Sequence, residues 1–393
     1  MRVGSRRIVY GAIGTAAAWL LSVAYVGGQA PQTGAPTAAQ SQMAADQVFK
    51  NVTVLKGIPV DEFMGTMGVF SAALGFSCED CHTASSNDWA NYAKDVSPRK
   101  TMARQMVTMM QGLNKQYFGG RQVVTCFTCH RGSNRPKVTA SLDILYGAPP
   151  PDELDVLVLP AGPGGPTAAQ ILDKYIAAVG GAARLKGLTA FTAEGIYSGY
   201  DDFEQFPVQM FARAPNQRTT ILRSQYGDVT TAFDGRSGWL ASPAEIKPTP
   251  VIVLTGGNLE GTALEAELSF PGQIKQTLTN WIVGPLTSIG DRQARIVQGR
   301  RASGTPIKLY FDEESGLLVR VIRYSSQSPV GRVPTQIDFE DYRDVSGIKF
   351  PFKWTSTWTD GRTLYQLKNV QVNPTIPAAT FARPVPPARP AAR

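Results

Sequence analysis

Two short runs of the sequence contain every cysteine and histidine of the chain. They read GFSCEDCHTA at residues 75–84 and VTCFTCHRG at residues 124–132. In each run two cysteines stand three positions apart and a histidine follows at once. On one helical turn, two such thiols can form thioether bonds to a haem while the adjacent imidazole binds its iron. The pattern therefore predicts two covalently attached haem c groups.

We assign the haem-attachment role to Cys78, Cys81, Cys126 and Cys129, and axial ligation of the iron to His82 and His130. Two other interpretations use the same cysteines. A zinc site made by all four thiolates would need ligands across the long spacer between Cys81 and Cys126, and disulfides are permitted in an exported chain. Neither of them explains why a histidine follows the second cysteine of each pair.

A second axial ligand must come from another residue type, because both histidines are already used. Methionine is the usual alternative and raises the reduction potential. Six of the nine methionines lie between residues 64 and 110, upstream of one motif or the other. Met67 and Met106 are the leading candidates, with Met64 and Met109 as alternatives. Each one could instead be an ordinary core methionine.

Helical patterns precede both motifs. Residues 59–76 carry apolar side chains at helical spacing, with Asp61 and Glu62 near the start and Gly75 suited to the end. Ser97 and Pro98 open a second helix that carries a methionine stripe. Arg104 on this helix could contact a haem propionate, although an ordinary surface role is as plausible.

From Leu188 onward the apolar period changes to two, which predicts a long antiparallel β region. A helical pattern containing Leu264, Leu268, Ile274, Leu278 and Trp281 interrupts it over residues 262–284. We predict a multidomain α+β protein: a mainly α-helical diheme cytochrome domain, followed by a curved antiparallel β half-barrel with covering helices.

The predicted organisation has six parts. They are a signal peptide or N-terminal membrane anchor at 1–30, a flexible leader at 31–45, the diheme domain at 46–135, a Pro-rich linker at 136–166, the β-rich domain at 167–383 and a disordered tail at 384–393.

The first thirty residues resemble an export signal. Arg2, Arg6 and Arg7 precede an apolar stretch about long enough to span a bilayer, so cleavage and anchoring both stay open. The chain would then be periplasmic, and its N-terminal segment would tether it to the inner membrane if that segment is not cleaved. Its formal charge of +8 suits an anionic membrane surface or an acidic protein. The sequence has no basic run with interleaved aromatic residues, so it does not indicate a nucleic-acid partner.

Residues 48–135 resemble the photosynthetic reaction centre cytochrome c subunit family, through the NVTVLKGIPVDEFMGTMGVFSAALGFSCEDCH and KTMARQMVTMMQGLN segments and the CFTCHRG run. In that family each haem unit is a Met-bearing helix followed by a turn and the Cys-x-x-Cys-His run. The resemblance implies Met/His haem units that pass single electrons. Family members typically carry four haems, whereas this chain has two motifs, so it does not imply a photosynthetic partner.

The region after the linker resembles the outer-membrane lipoprotein-sorting fold, through segments such as FDGRSGWLAS and DFEDYRDVSGIKFPFKW. That fold is an incomplete barrel with helices on its concave side. The concave face would be filled by the helix near Leu264 or would hold a lipid or quinone-like ligand.

These observations favour an exported diheme cytochrome that transfers electrons between envelope redox proteins, and not an enzyme. Two alternatives stay open: a diheme peroxidase-like enzyme with an open iron, and a redox-linked module that binds lipid or quinone. Hydrolases that need a free histidine are excluded, because both histidines are committed to iron.

Overall fold

The computed structural model describes residues 43–82, 92–136, 138–139, 158, 160–199, 205–224, 227–243, 249–327 and 330–385. The predictions for residues 1–30, for nearly all of the leader and for most of the tail fall outside these ranges. Within them, no helix is both long and apolar enough to cross a membrane.

Five helices occupy the described residues before position 140. They are α1 (Ala45–Val48), α2 (Val60–Leu74), α3 (Cys78–Cys81), α4 (Pro98–Phe118) and α5 (Cys126–His130).

The ends of α2 and α4 follow their capping residues. Gly75 ends α2 in the left-handed conformation, at φ +66°. The Ser97 hydroxyl accepts a hydrogen bond from the Arg99 N–H at the start of α4, and Pro98 occupies the first helical position. Both predicted helices are therefore confirmed.

The described residues after position 157 contribute four helices and thirteen strands. The helices are α6 (Ala168–Ala178), α7 (Ala182–Lys186), α8 (Gly256–Leu268) and α9 (Ile274–Thr277). The strands are β1 (Ala190–Gly199), β2 (Gln205–Arg213), β3 (Gln217–Ser224), β4 (Gly227–Phe233), β5 (Gly238–Ala241), β6 (Val251–Val253), β7 (Thr279–Ile289), β8 (Arg292–Arg300), β9 (Pro306–Asp312), β10 (Leu318–Gln327), β11 (Gly331–Val345), β12 (Ile348–Trp358) and β13 (Gly361–Val372).

All thirteen strands form one antiparallel sheet in the order β6-β5-β4-β3-β2-β1-β13-β12-β11-β10-β9-β8-β7. Burial alternates along strands such as β12, as the period of two predicts. The predicted antiparallel β region is confirmed.

The sheet curves around α8. Glu265 on α8 accepts a hydrogen bond from Arg218 of β3 through its carbonyl oxygen and pairs with Arg323 of β10 through its carboxylate, at 3.3 and 3.5 Å. Strands β3 and β10 are six places apart in the sheet, which is about 29 Å when flat. A helix is about 10 Å across, so one helix can reach both strands only if the sheet wraps around it. Leu264 of α8 is 1% exposed, which favours a filled concave face over a ligand pocket.

The single helix predicted over residues 262–284 is wrong in extent. Helix α8 begins earlier, at Gly256, and ends at Leu268, and the chain then passes through a 3-10 turn at Pro271–Gln273. Trp281 belongs to strand β7. Proline cannot continue the hydrogen-bonding pattern of the preceding helix, so the apolar spacing runs through two short helices and into a strand.

The described residues taken together are not mainly helical, because the thirteen-stranded sheet dominates them. Val60 and Met64 of α2 also belong to the main buried cluster, together with strand residues such as Leu240 and Tyr365. The division into domains at the predicted boundaries stays a prediction.

A buried carboxylate joins α2 to α8. Asp61, 3% exposed, accepts hydrogen bonds from the Thr255 N–H at 2.6 Å, the Thr255 hydroxyl at 2.7 Å and the Asn258 amide at 3.2 Å. Thr255 precedes the first residue of α8, where a negative charge interacts favourably with the helix dipole. Burial raises the pKa of Asp61, and the hydrogen bonds oppose that rise.

We expect Asp61→Ala to lower the free energy of unfolding by about 1–3 kcal/mol for each donor that it leaves unsatisfied. Urea denaturation followed by circular dichroism measures the loss. Asp46→Ala is the matched control, since the Asp46 carboxylate accepts one hydrogen bond, from the Gly57 N–H at an exposed site. Equal losses in the two variants would show that Asp61 does not hold α2 against α8.

Candidate functional site

The first motif occupies one helical turn that is fixed at both ends. Cys78 and Cys81 are the first and last residues of α3, and His82 follows directly. The Asp80 carboxylate accepts hydrogen bonds from the Ser77 N–H and hydroxyl and forms an ion pair with Arg99 at 2.6 Å. The turn therefore presents both thiols and the imidazole together, as haem attachment requires.

The imidazole of His82 is oriented by the backbone. Its Nδ1 lies 3.0 Å from the Tyr92 carbonyl oxygen, and its ring stacks on the Tyr92 ring at 4.6 Å. A carbonyl can only accept, so Nδ1 carries the proton and Nε2 is left for a metal. Burial, helped by the charge of Lys100, lowers the pKa of His82 to about 4. The ring is thus neutral, as metal ligation requires.

A mostly apolar cavity of about 250 Å³ adjoins this turn. Its lining includes Cys78, Cys81 and His82 together with both predicted methionines of α2, Met64 and Met67. Met64 is 3% exposed and is part of the main core, whereas Met67 is half-buried at the cavity wall. The cavity therefore brings the first motif together with its predicted methionine partners.

Three cations also line the cavity: Lys50, Lys100 and Arg104. The Lys100 ammonium donates to the carbonyl oxygens of Tyr92 and Lys94. Arg104 donates to the Asp95 carboxylate at 2.8 Å and to the Asn51 carbonyl oxygen at 3.3 Å. The sequence left two roles open for Arg104, a contact to a haem propionate and an ordinary surface role. In the structure Arg104 lines the cavity and its guanidinium binds the Asp95 carboxylate.

The second motif repeats this design. Cys126, Cys129 and His130 all belong to α5, which is capped at its start by the Thr125 hydroxyl. The Nδ1 of His130 lies 3.0 Å from the Ser133 carbonyl oxygen. Both motif histidines therefore share one tautomer, and in both Nε2 is the nitrogen left for a metal.

A buried amide positions the second motif on α4. The Asn114 side chain donates to the Val124 carbonyl oxygen at 2.7 Å and accepts from the N–H groups of Val123 and Val124. It fixes the residues that lead into Thr125. On the other side, a Cβ placed at Gly331 of β11 would lie 3.3 Å from the Thr125 side chain, so the sheet also supports this turn.

The two motifs meet at a pair of glycines. The Gly132 N–H donates to the Ala73 carbonyl oxygen at 2.9 Å. A Cβ placed on Gly75 would lie 2.5 Å from the Gly132 carbonyl oxygen. The exit of the second motif therefore packs directly on the residues that lead into the first.

The structure does not bring the remaining methionine candidates to the second motif in the same way. Met106 is half-buried and Met109 is 49% exposed on α4. Met110 is buried in the cluster against which Cys126 packs, and neither Met106 nor Met109 belongs to that cluster. The assignment of Met106 stays a prediction.

Burial raises the pKa of three of the four thiols. The pKa of Cys126 rises to about 11, and those of Cys78 and Cys81 rise as well. Across the described residues, no group of three or more His, Cys, Asp or Glu side chains is placed to hold a metal. Two thiols and a neutral, carbonyl-held imidazole on one turn, next to an apolar cavity, fit haem c.

Sequence reasoning missed the groups that orient the site. These are the Tyr92 and Ser133 carbonyls, the Asn114 amide and the Gly132 contact. The first two act through the backbone and leave no side-chain signal. Asn114 and Gly132 have weak signals: a polar residue on an otherwise buried helix face, and a glycine that follows CHR.

Comparison with known proteins supports this description of the site. Residues 10–143 match the family model described as the photosynthetic reaction centre cytochrome C subunit. The photosynthetic reaction center cytochrome c subunit of Rubrivivax gelatinosus is 38% identical over 113 residues, covering 28% of this chain and 29% of that protein. The subunit of Thermochromatium tepidum is 32% identical over 111 residues, covering 27% and 26%. The chain thus spans less than a third of the length of these relatives.

Solved structures similar to the chain include the LolA superfamily protein NE2245 from Nitrosomonas europaea, at 14% identity, with 56% of this chain and 98% of that chain covered and a TM-score of 0.38. Another is a putative outer membrane lipoprotein-sorting protein domain from Vibrio parahaemolyticus, at 11% identity, covering 54% and 94%, with a TM-score of 0.37. Because these TM-scores are low, we infer the curvature of the sheet from the contacts of α8 with β3 and β10 and not from these structures. The segment that carries both motifs is similar to reaction centre cytochrome c subunits, which confirms the resemblance seen in the sequence.

Proposed function

We propose that the chain is an exported diheme c-type cytochrome that transfers single electrons between redox proteins of the cell envelope. The observation that carries this proposal is the repeated turn, in which two thiols and a histidine held by a backbone carbonyl lie together twice. The match of residues 10–143 to a cytochrome family supports it.

Each residue has a defined role in this proposal. Cys78 and Cys81 hold one haem and Cys126 and Cys129 the other, while His82 and His130 supply an axial nitrogen to each. Bound haem c supplies one-electron redox chemistry at its iron. The protein supplies rigidity, because the Tyr92 and Ser133 carbonyls fix both imidazoles, and an apolar cavity wall that excludes water from the first site.

The second axial ligands are proposed to be Met67 at the first site and Met106 at the second, with Met64 and Met109 as the alternatives. The cavity that contains Met67 and His82 supports the first assignment. The position of Met106 on α4, the helix that anchors Val124 through Asn114, supports the second.

The proposed location is the periplasm, with residues 1–30 as the export signal or as a tether to the inner membrane. The charge asymmetry of that segment supports export. The proposed partners are envelope redox proteins. A photosynthetic partner is not part of the proposal, because the similarity covers about a quarter of the relatives' length.

Haem content tests the proposal. Expressed with c-haem maturation machinery, the wild-type chain is expected to carry two covalent haems by intact mass. Replacing Cys78 and Cys81 with serine is expected to leave one haem, and replacing Cys126 and Cys129 to leave the other, since each pair attaches its own group.

Zinc analysis of the same samples is the control. Wild-type protein without covalent haem, or with stoichiometric zinc, would contradict the proposal. Loss of both haems from each double variant would show that the two motifs do not act as separate attachment sites.

A further inference from the structure

Four exposed cations surround the second motif and form what we call the basic rim: Lys115, Arg121, Arg131 and Arg135. No acidic residue occurs in the sequence between Asp95 and Asp143. Among the described residues, none of the four cations forms an ion pair. The basic rim is therefore a region of uncompensated positive charge.

The contacts of the motif place these cations around it. Lys115 is next to Asn114, and Arg121 is two positions from Val123, which hydrogen-bonds to Asn114. Arg131 follows His130 directly and is the C-cap of α5. Arg135 is two positions from Ser133, whose carbonyl holds His130. All four thus lie within two positions of His130 or of a residue hydrogen-bonded at the motif.

The first motif has a different charge pattern. There Arg99 pairs with Asp80 at 2.6 Å and Arg104 pairs with Asp95 at 2.8 Å. The arginines nearest the first motif are thus paired with carboxylates, and Lys100 donates to two carbonyl oxygens. The four cations of the basic rim differ because none of them is paired with a carboxylate among the described residues.

The second motif also carries an exposed aromatic side chain. Phe127 stands between the two cysteines of the second motif and is 55% exposed. An apolar contact point encircled by charged residues is the usual composition of a transient protein interface. Opposite charge on a partner would accelerate encounter by about 10–10³-fold at low salt.

We infer that the basic rim, together with the exposed Phe127 of the same motif, is the docking surface for an acidic electron-transfer protein. This inference rests on the proposed function and adds the class of partner and the motif at which it binds. In each encounter one electron passes from the reduced partner to the oxidised cytochrome. The partner loses that one electron and is thereby oxidised, the cytochrome gains it, and no bond is formed or broken in the chain.

A protein fits this surface better than an anionic membrane does. The cations flank, in sequence, the residues that hold the turn to which a haem would attach, so the surface would bring a partner to the place where an electron would enter. A lipid headgroup would be attracted by the same charge but carries no electron. Binding to lipid is therefore treated as a competing outcome of the test.

The test uses the full chain with its haems and a chemically reduced flavodoxin chosen for its net negative charge. The rim variant carries Lys115→Glu, Arg121→Glu and Arg135→Glu, and Arg131 is left in place because it caps α5. At an ionic strength of about 0.01 M, where screening extends over about 30 Å, we expect the rim variant to bind flavodoxin at least about 10-fold more weakly by biolayer interferometry. The second-order rate constant of haem reduction in stopped flow should fall by a similar factor. Near 1 M salt the difference should vanish.

A control variant carries the same change of charge at Lys186→Glu, Arg292→Glu and Lys349→Glu. These exposed residues lie away from the rim. Arg292 and Lys349 lie near the end of the sheet opposite Gly331, which is about 45 Å away along β11. The control should bind flavodoxin as the wild type does. Thermal unfolding of both variants checks folding, and a Lys115→Gln, Arg121→Gln, Arg135→Gln variant, with half the charge change, should show an intermediate effect.

Three results would overturn the inference: equal effects of the rim and control variants, rates independent of salt, or salt-dependent binding to phosphatidylglycerol vesicles without binding to flavodoxin. These results differ from failure of the proposed function. In that case dithionite would produce no haem band at all, whereas the binding measurement can be read with or without haem.

Discussion

The Met67→Ala protein is expected to bind carbon monoxide at one of its two irons, whereas wild-type protein binds none. Met67 lies at the wall of the cavity that contains His82, and we propose that its sulfur closes the sixth position of the first iron. Alanine cannot ligate iron, so a position opens to an external ligand. Optical spectroscopy of the reduced protein with and without carbon monoxide measures the change.

Met64→Ala is the matched control on the same helix. Met64 is 3% exposed and packs in the main core with the sheet, so truncation is expected to cost about 2–5 kcal/mol of stability. It should leave both irons closed. If Met64→Ala bound carbon monoxide and Met67→Ala did not, Met64 would be the axial ligand of the first iron and Met67 would not. If neither variant bound carbon monoxide, methionine ligation at the first site would be wrong.

Gly75→Ala is expected to destabilise the protein strongly and to disturb both motifs. The residue is left-handed, at φ +66°, and a Cβ would lie 2.5 Å from the Gly132 carbonyl oxygen. Two costs combine: the left-handed conformation, worth about 1–2 kcal/mol for a residue with a Cβ, and a backbone clash of the overpacking kind, worth about 1–3 kcal/mol. Urea denaturation measures the sum.

Gly119→Ala separates the two costs. Gly119 caps α4 at φ +61°, and a Cβ there would meet nothing within 4 Å. Its substitution should therefore show the conformational cost alone. If both substitutions lowered the free energy of unfolding equally, the backbone contact between Gly75 and Gly132 would add no cost. That contact would then not fix the distance between the two motifs.

The parts of the fold that follow from local spacing were predictable. Helices α2 and α4 were readable because apolar periodicity and capping residues are properties of neighbours in sequence. The sequence could place each Cys-x-x-Cys-His motif on one helical turn because its cysteines and histidine lie within five positions. The strands followed from an apolar period of two.

The remaining features depend on contacts between distant residues. The bonds from Thr255 to Asp61 link positions 194 apart, and the pairing of Arg323 with Glu265 depends on how the sheet closes around α8. The helix predicted through Trp281 is wrong because apolar spacing alone does not reveal that Pro271 and the edge of the sheet redirect the chain.

The packing of α2 on the sheet has a consequence for the order of assembly. Val60 and Met64 complete a core whose other members come almost entirely from residues after position 170. All four thiols precede the first strand in the chain, and synthesis delivers the N-terminal part first. The cysteines are therefore made before the strands against which α2 packs, so α2 completes its part of the core only after the residues of the sheet have been synthesised.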